Sequence, residues 1–358
     1  MTEKPILRAM LSCSSTALTD DEKRLFAKYN PLGISLFARN IENKAQLRRL
    51  TDEIRSVVER DDILIAVDQE GGRVRRLQGP EYIEYASMET LGKIAAEKGM
   101  VTALKAVVIQ ANLTANDLHE TGINFNYAPV LDMAYPETTP ALKSRCFGND
   151  EKRTAVMGGI MMEEYVVNNI CPCIKHLPGH GRAQIDPHLN LPVITDPLEE
   201  LAKDFYPFKQ LNYAPAGMTA HIVIDAVDPD NPITQSAKGI DKLIRGEIGF
   251  DGLLLSDAID MHALRGSLGE KTQRCLNAGC DAVCYCLGKY NELLQVVENC
   301  GFMSDKGYDR LNAVRQIINQ PDLSKLAQEY NKIISDIEVY DEKYDATEVL
   351  NRLNNKEN

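Results

Sequence analysis

The sequence predicts a single (β/α)8 barrel, an α/β fold of the TIM type, with extra helices at its C-terminal end. Short apolar runs rich in β-branched residues alternate with amphipathic helical stretches, which indicates parallel strands joined by helical crossovers. Eight such runs occur, the number of strands that closes a barrel. The length of 358 residues would otherwise suggest two domains, but one barrel of this kind can hold ~200 to over 400 residues.

The eight predicted strands each lead into a polar or glycine-rich turn. They cover residues 6–11, 33–37, 63–67, 123–127, 170–174, 217–220, 252–255 and 282–286. Between them, apolar residues recur at three- and four-residue steps, as at Val101, Leu104 and Val108, which is helical spacing. An open doubly wound sheet is the alternative, but no G-x-G-x-x-G turn follows the first strand. The barrel is therefore favoured.

The pattern changes after the eighth run, and we place a boundary at residue 300. An amphipathic helix is predicted over 311–318 and ends before Pro321, and a second is predicted over 326–337. We expect residues 1–300 to form the barrel that carries the site. Residues 301–358 are expected to be a helical extension packed on the outside of the barrel, with no second catalytic domain.

Composition restricts the partners and the compartment. The formal net charge of −12 argues against nucleic acid or an anionic membrane as the main partner, because both need a positive surface. The N-terminal segment MTEKPILRAMLSCSS lacks the apolar region of a secretory signal, and no apolar run is long enough to span a bilayer. Nine cysteines cannot all pair as in a secreted protein. We therefore expect buried free thiols and a cytoplasmic location.

Polar residues gather where four of the predicted strands end, the place where barrels carry their active sites. The third run leads into DQEGGRVRR (68–76) and the fifth into KHLPGHGRAQIDPH (175–188). The sixth leads into TAH (219–221) and the seventh into SDAIDM (256–261). Four of the six histidines lie in these turns, and this concentration is the main indication of function.

A zinc site is the first interpretation of these histidines. His176 and His180 stand four residues apart, but a proline and a glycine between them prevent the helix that would align them. No H-E-x-x-H or H-x-H pattern occurs, and Cys171 and Cys173 lack the usual C-x2-C spacing. The sequence implies neither a metal nor an organic cofactor.

Acid–base catalysis fits the same turns better. Asp186 and His188 flank Pro187, which favours an extended backbone and so puts both side chains on one face. The carboxylate can then fix the imidazole tautomer and stabilise its protonated form near neutral pH. An accidental pairing in a polar loop is the alternative. Asp257 adds a second carboxylate at another strand end, although Ser256-Asp257 could also be the N-cap of a helix.

Several long segments resemble the signature blocks of glycoside hydrolase family 3. They are VDQEGGRVRRL, KHLPGHG…DPHLNLP, MTAHIVIDAVDPDNP and LLLSDAIDMHAL. Within that family the resemblance is greatest to the β-N-acetylglucosaminidases of the peptidoglycan-recycling (NagZ) type, and GISLFARNIEN, GINFNYAPVLD and SRCFGND follow the same pattern. The blocks run in the family's order over roughly residues 5 to 300, and together they are far more specific than any one of them.

The resemblance implies a role for particular residues of this chain. Asp257 is similar to the family's nucleophile, His188 to an unusual histidine acid/base, and Asp186 to its dyad partner. Carboxylates and cationic donors can hold sugar hydroxyls in paired hydrogen bonds. The residues similar to those that hold the N-acetylglucosamine ring are Asp68, Arg76, Arg145, Lys175 and His176.

The chain departs from the family pattern at three positions. Arg182 stands where aspartate is usual after G-H-G, Pro187 where serine is usual between the dyad residues, and Cys146 where serine or alanine is usual. None of these removes a catalytic group, but the first two lie in the loop of the dyad. We expect that loop to move, bending at Gly179 and Gly181 while Pro187 stiffens the dyad.

The sequence therefore predicts a retaining β-N-acetylhexosaminidase that removes terminal β-linked N-acetylglucosamine through a covalent intermediate on Asp257. By resemblance, its partner is a small carbohydrate, an N-acetylglucosamine-containing muropeptide such as an anhydromuropeptide from cell-wall turnover. A monomer or weak homo-oligomer is expected. Three alternatives stay open: a β-glucosidase of the same family, an N-acetylglucosaminide phosphorylase whose neutral histidine does not repel phosphate, and a non-catalytic sugar-binding barrel.

Overall fold

A computed structural model describes residues 4–187 and 189–319 of the chain. It contains ten strands, of which eight form a closed parallel barrel and two, β6 and β8, form a small separate sheet. The strands are β1 (Leu7–Ser12), β2 (Pro31–Leu36), β3 (Leu64–Val67), β4 (Phe125–Asn126), β5 (Cys171–Leu177), β6 (Val193–Ile194), β7 (Ala216–Thr219), β8 (Val223–Ile224), β9 (Leu253–Ala258) and β10 (Ala282–Cys284).

The barrel confirms the predicted fold class and all eight predicted strands. Each barrel strand pairs with the barrel strand before it in the chain, and β10 pairs with β1 to close the ring. Two strands run further than expected. Lys175 and His176 lie within β5, and Asp257 lies within β9, so the helix N-cap considered for Asp257 is wrong.

Helices cover the barrel, and most begin at a side-chain cap. Thr19 and Glu22 form a reciprocal capping box at the first helix, and Ser267 and Glu270 form another, each worth ~1 kcal/mol. The α-helices are α1 (Asp20–Tyr29), α2 (Lys44–Val58), α3 (Met88–Lys98), α4 (Met100–Glu120), α5 (Pro140–Lys143), α6 (Glu151–Val167), α7 (Leu198–Gln210), α8 (Leu268–Ala278), α9 (Tyr290–Cys300) and α10 (Asp305–Ile318). Two 3₁₀-helices, Ala38–Asn40 and Ile233–Gln235, and a π-helix, Gly239–Glu247, complete the set.

Apolar side chains of the strands fill two layers. On β3, Leu64 and Ala66 point into the barrel, whereas Ile65 and Val67 pack under the surrounding helices. Both faces of a parallel strand are therefore buried, which explains why the strands read as continuous apolar runs. All nine cysteines are free thiols, and only Cys286 is not fully buried.

The helix predicted over 311–318 is the second half of α10. Leu311 and Val314 of α10 join the cluster inside the barrel, and the Tyr308 hydroxyl accepts the backbone N–H of Ile6 at 3.0 Å. This helix thus covers the N-terminal end of the barrel, opposite the predicted site. The helix predicted over 326–337 lies outside the described residues, and the division at residue 300 stays a prediction. No helix of the described chain is long and apolar enough to cross a membrane.

Candidate active site

A pocket of about 460 Å³ opens at the C-terminal ends of the barrel strands. It is where a (β/α)8 barrel places its reactive groups. Seven of the eight residues predicted from the sequence line it: Asp68, Arg76, Arg145, Lys175, His176, Asp186 and Asp257. The eighth, His188, lies outside the described residues.

Five side chains of alternating charge form a continuous ion-pair chain along one wall. Arg76 Nη2 lies 3.1 Å from Asp68 Oδ2, and Lys175 Nζ lies 2.8 Å from Asp68 Oδ1. The same Lys175 Nζ lies 2.6 Å from Glu70 Oε1, and Arg145 bonds both Glu70 oxygens at 2.8 Å. Lys175 is only 1% exposed, so its charge depends on these two carboxylates. The arrangement holds several hydrogen-bond donors and acceptors in fixed positions, which suits it to bind hydroxyl groups.

Glu70 belongs to this ion-pair chain, although it does not line the pocket and the sequence assigned it no role in binding. Burial alone would raise the pKa of Glu70, but Arg145 and Lys175 outweigh it and lower that pKa. The same balance lowers the pKa of Asp68, with Lys175 and Arg76 as the opposing charges. Both groups are therefore carboxylates near neutral pH. They order the cations and are poor proton donors.

His176 is held by a residue that the sequence analysis did not single out. Asp132 is fully buried, and its Oδ2 accepts a hydrogen bond from His176 Nδ1 at 2.6 Å. Its other oxygen accepts the backbone N–H of His180 at 2.7 Å. Burial would raise the pKa of Asp132, but His176 lowers it. The segment APVLD contains Asp132, but nothing in the sequence shows which side chain it faces.

Asp257 lies in β9 and faces the same pocket. Its Oδ1 accepts the backbone N–H of Ala258 at 2.7 Å. Burial alone would raise the pKa of this carboxyl, but His221, His176, the Ala258 N–H and Lys175 together lower it. An ionised carboxylate beside this ion-pair chain is suited to attack an electrophilic carbon.

His221 supports the β9 end of the pocket. Its Nε2 lies 3.0 Å from the Ala258 carbonyl oxygen and its Nδ1 lies 2.8 Å from Thr234 Oγ1. Burial lowers the pKa of His221. The two hydrogen bonds fix the ring, and one of them holds the backbone next to Asp257.

His180 is a further buried histidine on the pocket wall. It is 4% exposed, and neither ring nitrogen has a hydrogen-bond partner among the described residues. Burial lowers its pKa to about 4. The ring is therefore neutral at neutral pH and carries one donor nitrogen and one acceptor nitrogen.

Asp186 reaches the pocket from the loop that follows β5. The Pro187 carbonyl oxygen accepts the backbone N–H of Ala263 at 3.1 Å, which ties this loop to the loop after β9. The Asp186 carbonyl oxygen accepts the N–H of Leu189 at 2.9 Å in a tight turn. Asp186 and Asp257 thus line one pocket although they are far apart in the chain.

Two arginines near the third strand end take different positions. Arg73 lines the pocket, and its Nη1 donates to the Pro140 carbonyl oxygen at 3.1 Å. Arg75 instead pairs with Glu84 at 3.0 Å and does not line the pocket.

Within residues 4–187 and 189–319, no group of histidine, cysteine, aspartate or glutamate side chains is arranged to hold a metal ion.

The family model described as "Glycosyl hydrolase family 3 N terminal domain" matches residues 7–317. The chain belongs to glycoside hydrolase family 3. A beta-hexosaminidase of Bordetella avium is 32% identical to this family 3 hydrolase over 282 residues, which is 77% of this chain and 79% of that protein. Membership confirms the family recognised from the sequence blocks and the class of enzyme. The match also runs past residue 300 and includes most of α10.

Solved structures of other family 3 proteins share the fold. NagZ from Neisseria gonorrhoeae, in complex with N-trifluoroacetyl-D-glucosamine, superposes with a TM-score of 0.80 at 28% identity, covering 92% of this chain and 98% of that one. A family 3 β-N-acetylglucosaminidase from Paenibacillus sp. str. FPU-7 gives a TM-score of 0.80 at 26% identity over 88% of this chain. This family 3 hydrolase spans 62% of the length of the Paenibacillus chain.

Proposed function

We propose that the protein is a retaining β-N-acetylhexosaminidase that hydrolyses terminal β-linked N-acetylglucosamine. The observation that carries this proposal is the carboxyl group of Asp257 in the same pocket as the ion-pair chain around Lys175. The names of the relatives, a beta-hexosaminidase and a β-N-acetylglucosaminidase, support the choice of sugar.

The ion-pair chain and His176 bind the non-reducing sugar ring in this proposal. Asp68 accepts hydrogen bonds from ring hydroxyls, and Lys175, Arg76 and Arg145 donate to hydroxyl oxygens. Each of these side chains is already held by an opposite charge. Binding therefore needs little reorganisation of the pocket, which favours accurate placement of the anomeric carbon over Asp257.

Hydrolysis proceeds in two displacements. The Asp257 carboxylate attacks the anomeric carbon, the glycosidic C–O bond breaks, and protonated His188 donates its proton to the leaving oxygen. Neutral His188 then takes a proton from water, the resulting hydroxide attacks the same carbon, and Asp257 leaves as a carboxylate. Two inversions retain the β configuration. Asp186 orients the imidazole and stabilises its charged form.

By family resemblance, the aglycone is part of a cell-wall fragment, so the substrate is an N-acetylglucosamine-containing muropeptide handled in the cytoplasm. The acidic chain fits a small carbohydrate partner better than a polyanion. The partly exposed Asp186 lines the pocket from the loop after β5, and in this proposal the leaving group receives its proton beside this residue.

One assay separates the proposed activity from its alternatives. The enzyme is given a chromogenic β-N-acetylglucosaminide and the matching β-glucoside, each with and without inorganic phosphate, and the sugar product is analysed. We expect free N-acetylglucosamine from the first substrate, independent of phosphate. A preference for the glucoside indicates a β-glucosidase, a sugar phosphate indicates a phosphorylase, and no turnover of either substrate indicates a non-catalytic barrel.

A further inference from the structure

The loop between β5 and β6 carries Asp186 and is anchored at both of its ends. At its start, the Thr138 hydroxyl donates to the Gly181 carbonyl oxygen and the Thr139 N–H donates to that of Ala183. At its far end, the Pro192 carbonyl oxygen accepts the N–H of Val223 at 2.9 Å, where β6 pairs with β8. Residues 184–191 form the stretch between these anchors.

The glycines at the start of the loop are tightly packed. A Cβ atom at Gly181 would lie 2.0 Å from the Met133 carbonyl oxygen, and one at Gly179 would lie 3.1 Å from Asp204. Gly179 also has a φ of +134°, which other residues rarely adopt. Close packing therefore accounts for both glycines, and bending at these positions stays a prediction.

Arg182 connects the start of this loop to the segment after β6 and to α7. Its Nε donates to Asp204 Oδ2 on α7 at 2.8 Å, and its Nη1 donates to Asp196 Oδ1 just after β6 at 2.5 Å. Its Nη2 donates to the Glu200 carbonyl oxygen at 3.1 Å. The guanidinium carbon also lies 4.8 Å from the centre of the Tyr135 ring. All three nitrogens of the guanidinium are thus used.

We propose that Arg182 is a positioning residue for the acid/base loop, which it closes into a ring by bonding Asp196. The inference rests on the proposed function, because it assigns Arg182 the task of holding Asp186, the proposed partner of the acid/base, in the pocket. Fixing two points 14 residues apart removes many conformations of the stretch between them. Asp204, which is buried, fixes that ring to the barrel wall through α7.

The chemistry of the site requires arginine and not merely a cation. The planar guanidinium fork reaches two carboxylates and a carbonyl oxygen at fixed angles, which an ammonium group cannot do from one position. The family pattern usually has aspartate at this position. An aspartate here would face Asp204 and Asp196 with like charge. The anchoring of the loop in this chain therefore depends on the arginine at position 182.

The alternative is that Arg182 only neutralises the buried Asp204. Asp196→Asn separates the two roles, because it weakens the ring closure and leaves the Arg182–Asp204 pair intact. We expect this variant to lose ~10-fold or more in kcat/KM on a disaccharide, where misplacement of a catalytic group by about 1 Å can cost ~10²-fold. On a nitrophenyl glycoside, whose leaving group needs little protonation, we expect less than a ~3-fold loss.

Arg182→Lys provides the second test. It keeps the charge beside Asp204, so the Tm should stay near that of the wild type, while the loss on the disaccharide should match or exceed that of Asp196→Asn. Hydrogen exchange of the peptide covering 183–195 should become faster in both variants. Arg48→Ala, which breaks the exposed Arg48–Asp52 pair on α2, is the control. It should leave kcat/KM unchanged on both substrates.

Equal losses on both substrates, or unchanged exchange over 183–195, would overturn the role of Arg182. His188→Ala distinguishes this failure from that of the proposed function. If His188→Ala shows the leaving-group dependence and the two loop variants do not, only the positioning role is wrong. If His188→Ala shows none, the acid/base assignment itself is wrong.

Discussion

His176 and Asp132 form a buried pair in which the imidazole Nδ1–H donates to the carboxylate across 2.6 Å. The second oxygen of Asp132 accepts the backbone N–H of His180. One carboxylate therefore fixes both the His176 imidazole and the start of the loop after β5. The pair keeps the proton on Nδ1 and leaves Nε2, 3.5 Å from Arg145 Nη2, on the side of the pocket.

Asp132→Asn should impair sugar binding because the amide can donate to Nδ1 and so move the imidazole proton to Nε2. That nitrogen would then face Arg145 with a proton in place of a lone pair. We expect kcat/KM on a chromogenic N-acetylglucosaminide to fall about 10- to 100-fold, from ~1.5–3 kcal/mol for a hydrogen bond to a charged group. Asp52→Asn, at an exposed position on α2, is the control. Equal kcat/KM values for the two variants would remove Asp132 from the site.

Asp257 should be the covalent nucleophile. A slow fluorinated sugar should trap the glycosyl-enzyme, and peptide mass spectrometry should find the label on the peptide that contains Asp257. Asp257→Ala should remove nearly all turnover, since Asp68 and Glu70 are committed to cations. A label on Asp260 or Glu70 would contradict the assignment.

Lys175→Ala should weaken the ring-binding wall more than any surface charge change. The substitution removes an ammonium group that donates to a sugar hydroxyl, an effect of ~1.5–3 kcal/mol on kcat/KM. It also leaves the buried Glu70 and the partly buried Asp68 without their shared cation. We therefore also expect a lower Tm. Lys289→Ala, at an exposed pair with Glu292, provides the comparison. A Lys175→Ala enzyme with wild-type kcat/KM would show that the sugar binds elsewhere.

His188→Ala should lose more activity as the leaving group becomes poorer. A sugar alkoxide needs its proton, whereas a nitrophenolate departs without it, so the loss on a disaccharide should approach ~10²–10⁴-fold and that on the nitrophenyl glycoside should be far smaller. Asp186→Ala should show the same pattern more mildly, because it acts through the imidazole. For each variant, kcat/KM is measured on both substrates.

Equal losses on the two substrates would mean that His188 binds the sugar and that another group supplies the proton. Glu70 is unsuited to that role because Arg145 and Lys175 hold it ionised. Asp260 is a better candidate. It lines the pocket, and burial raises its pKa.

His180 should make the folded state sensitive to acid. Its folded pKa of about 4 lies below the usual 6.5, so the unfolded chain binds more protons between these values. Stability should therefore fall as pH decreases from 6.5 toward 4, by up to about 3 kcal/mol from this group. Chemical denaturation of His180→Gln across that range should show a shallower decline than the wild type. Parallel declines would mean that His180 is protonated in the folded protein.

The sequence located the barrel well because each strand is buried on both faces and gives a continuous apolar run. The strand-end segments contain six of the seven pocket residues, since the C-terminal ends of parallel strands meet at one face. The seventh, Arg145, was assigned through the family resemblance. Asp132 and Glu70 could not be assigned in this way. Their partners, His176 and Arg145, are 44 and 75 residues away, and a buried carboxylate acquires its role only from the side chain it meets.

The loop after β5 shows a second limit of sequence reasoning. Glycines near a predicted acid suggest a hinge. At position 181, however, glycine is also the only residue type that fits against the Met133 carbonyl oxygen. A glycine selected for close packing and one selected for motion look the same in a sequence. Arg182 was noticed only as a departure from the family pattern, because its partners Asp196 and Asp204 are ordinary acidic residues of the next loop and helix.

The position of α10 has a consequence for how the enzyme is made. Leu311 and Val314 shield the apolar interior at the N-terminal end of the barrel, and Arg310 holds the helix to Asp281 at 2.8 Å. A nascent chain that has emerged only as far as β10 lacks this helix and still exposes that interior to water. Synthesis must therefore pass residue 318 before α10 can cover the barrel interior. A ribosome that stalled earlier would present chaperones with exposed apolar surface at that end of the barrel.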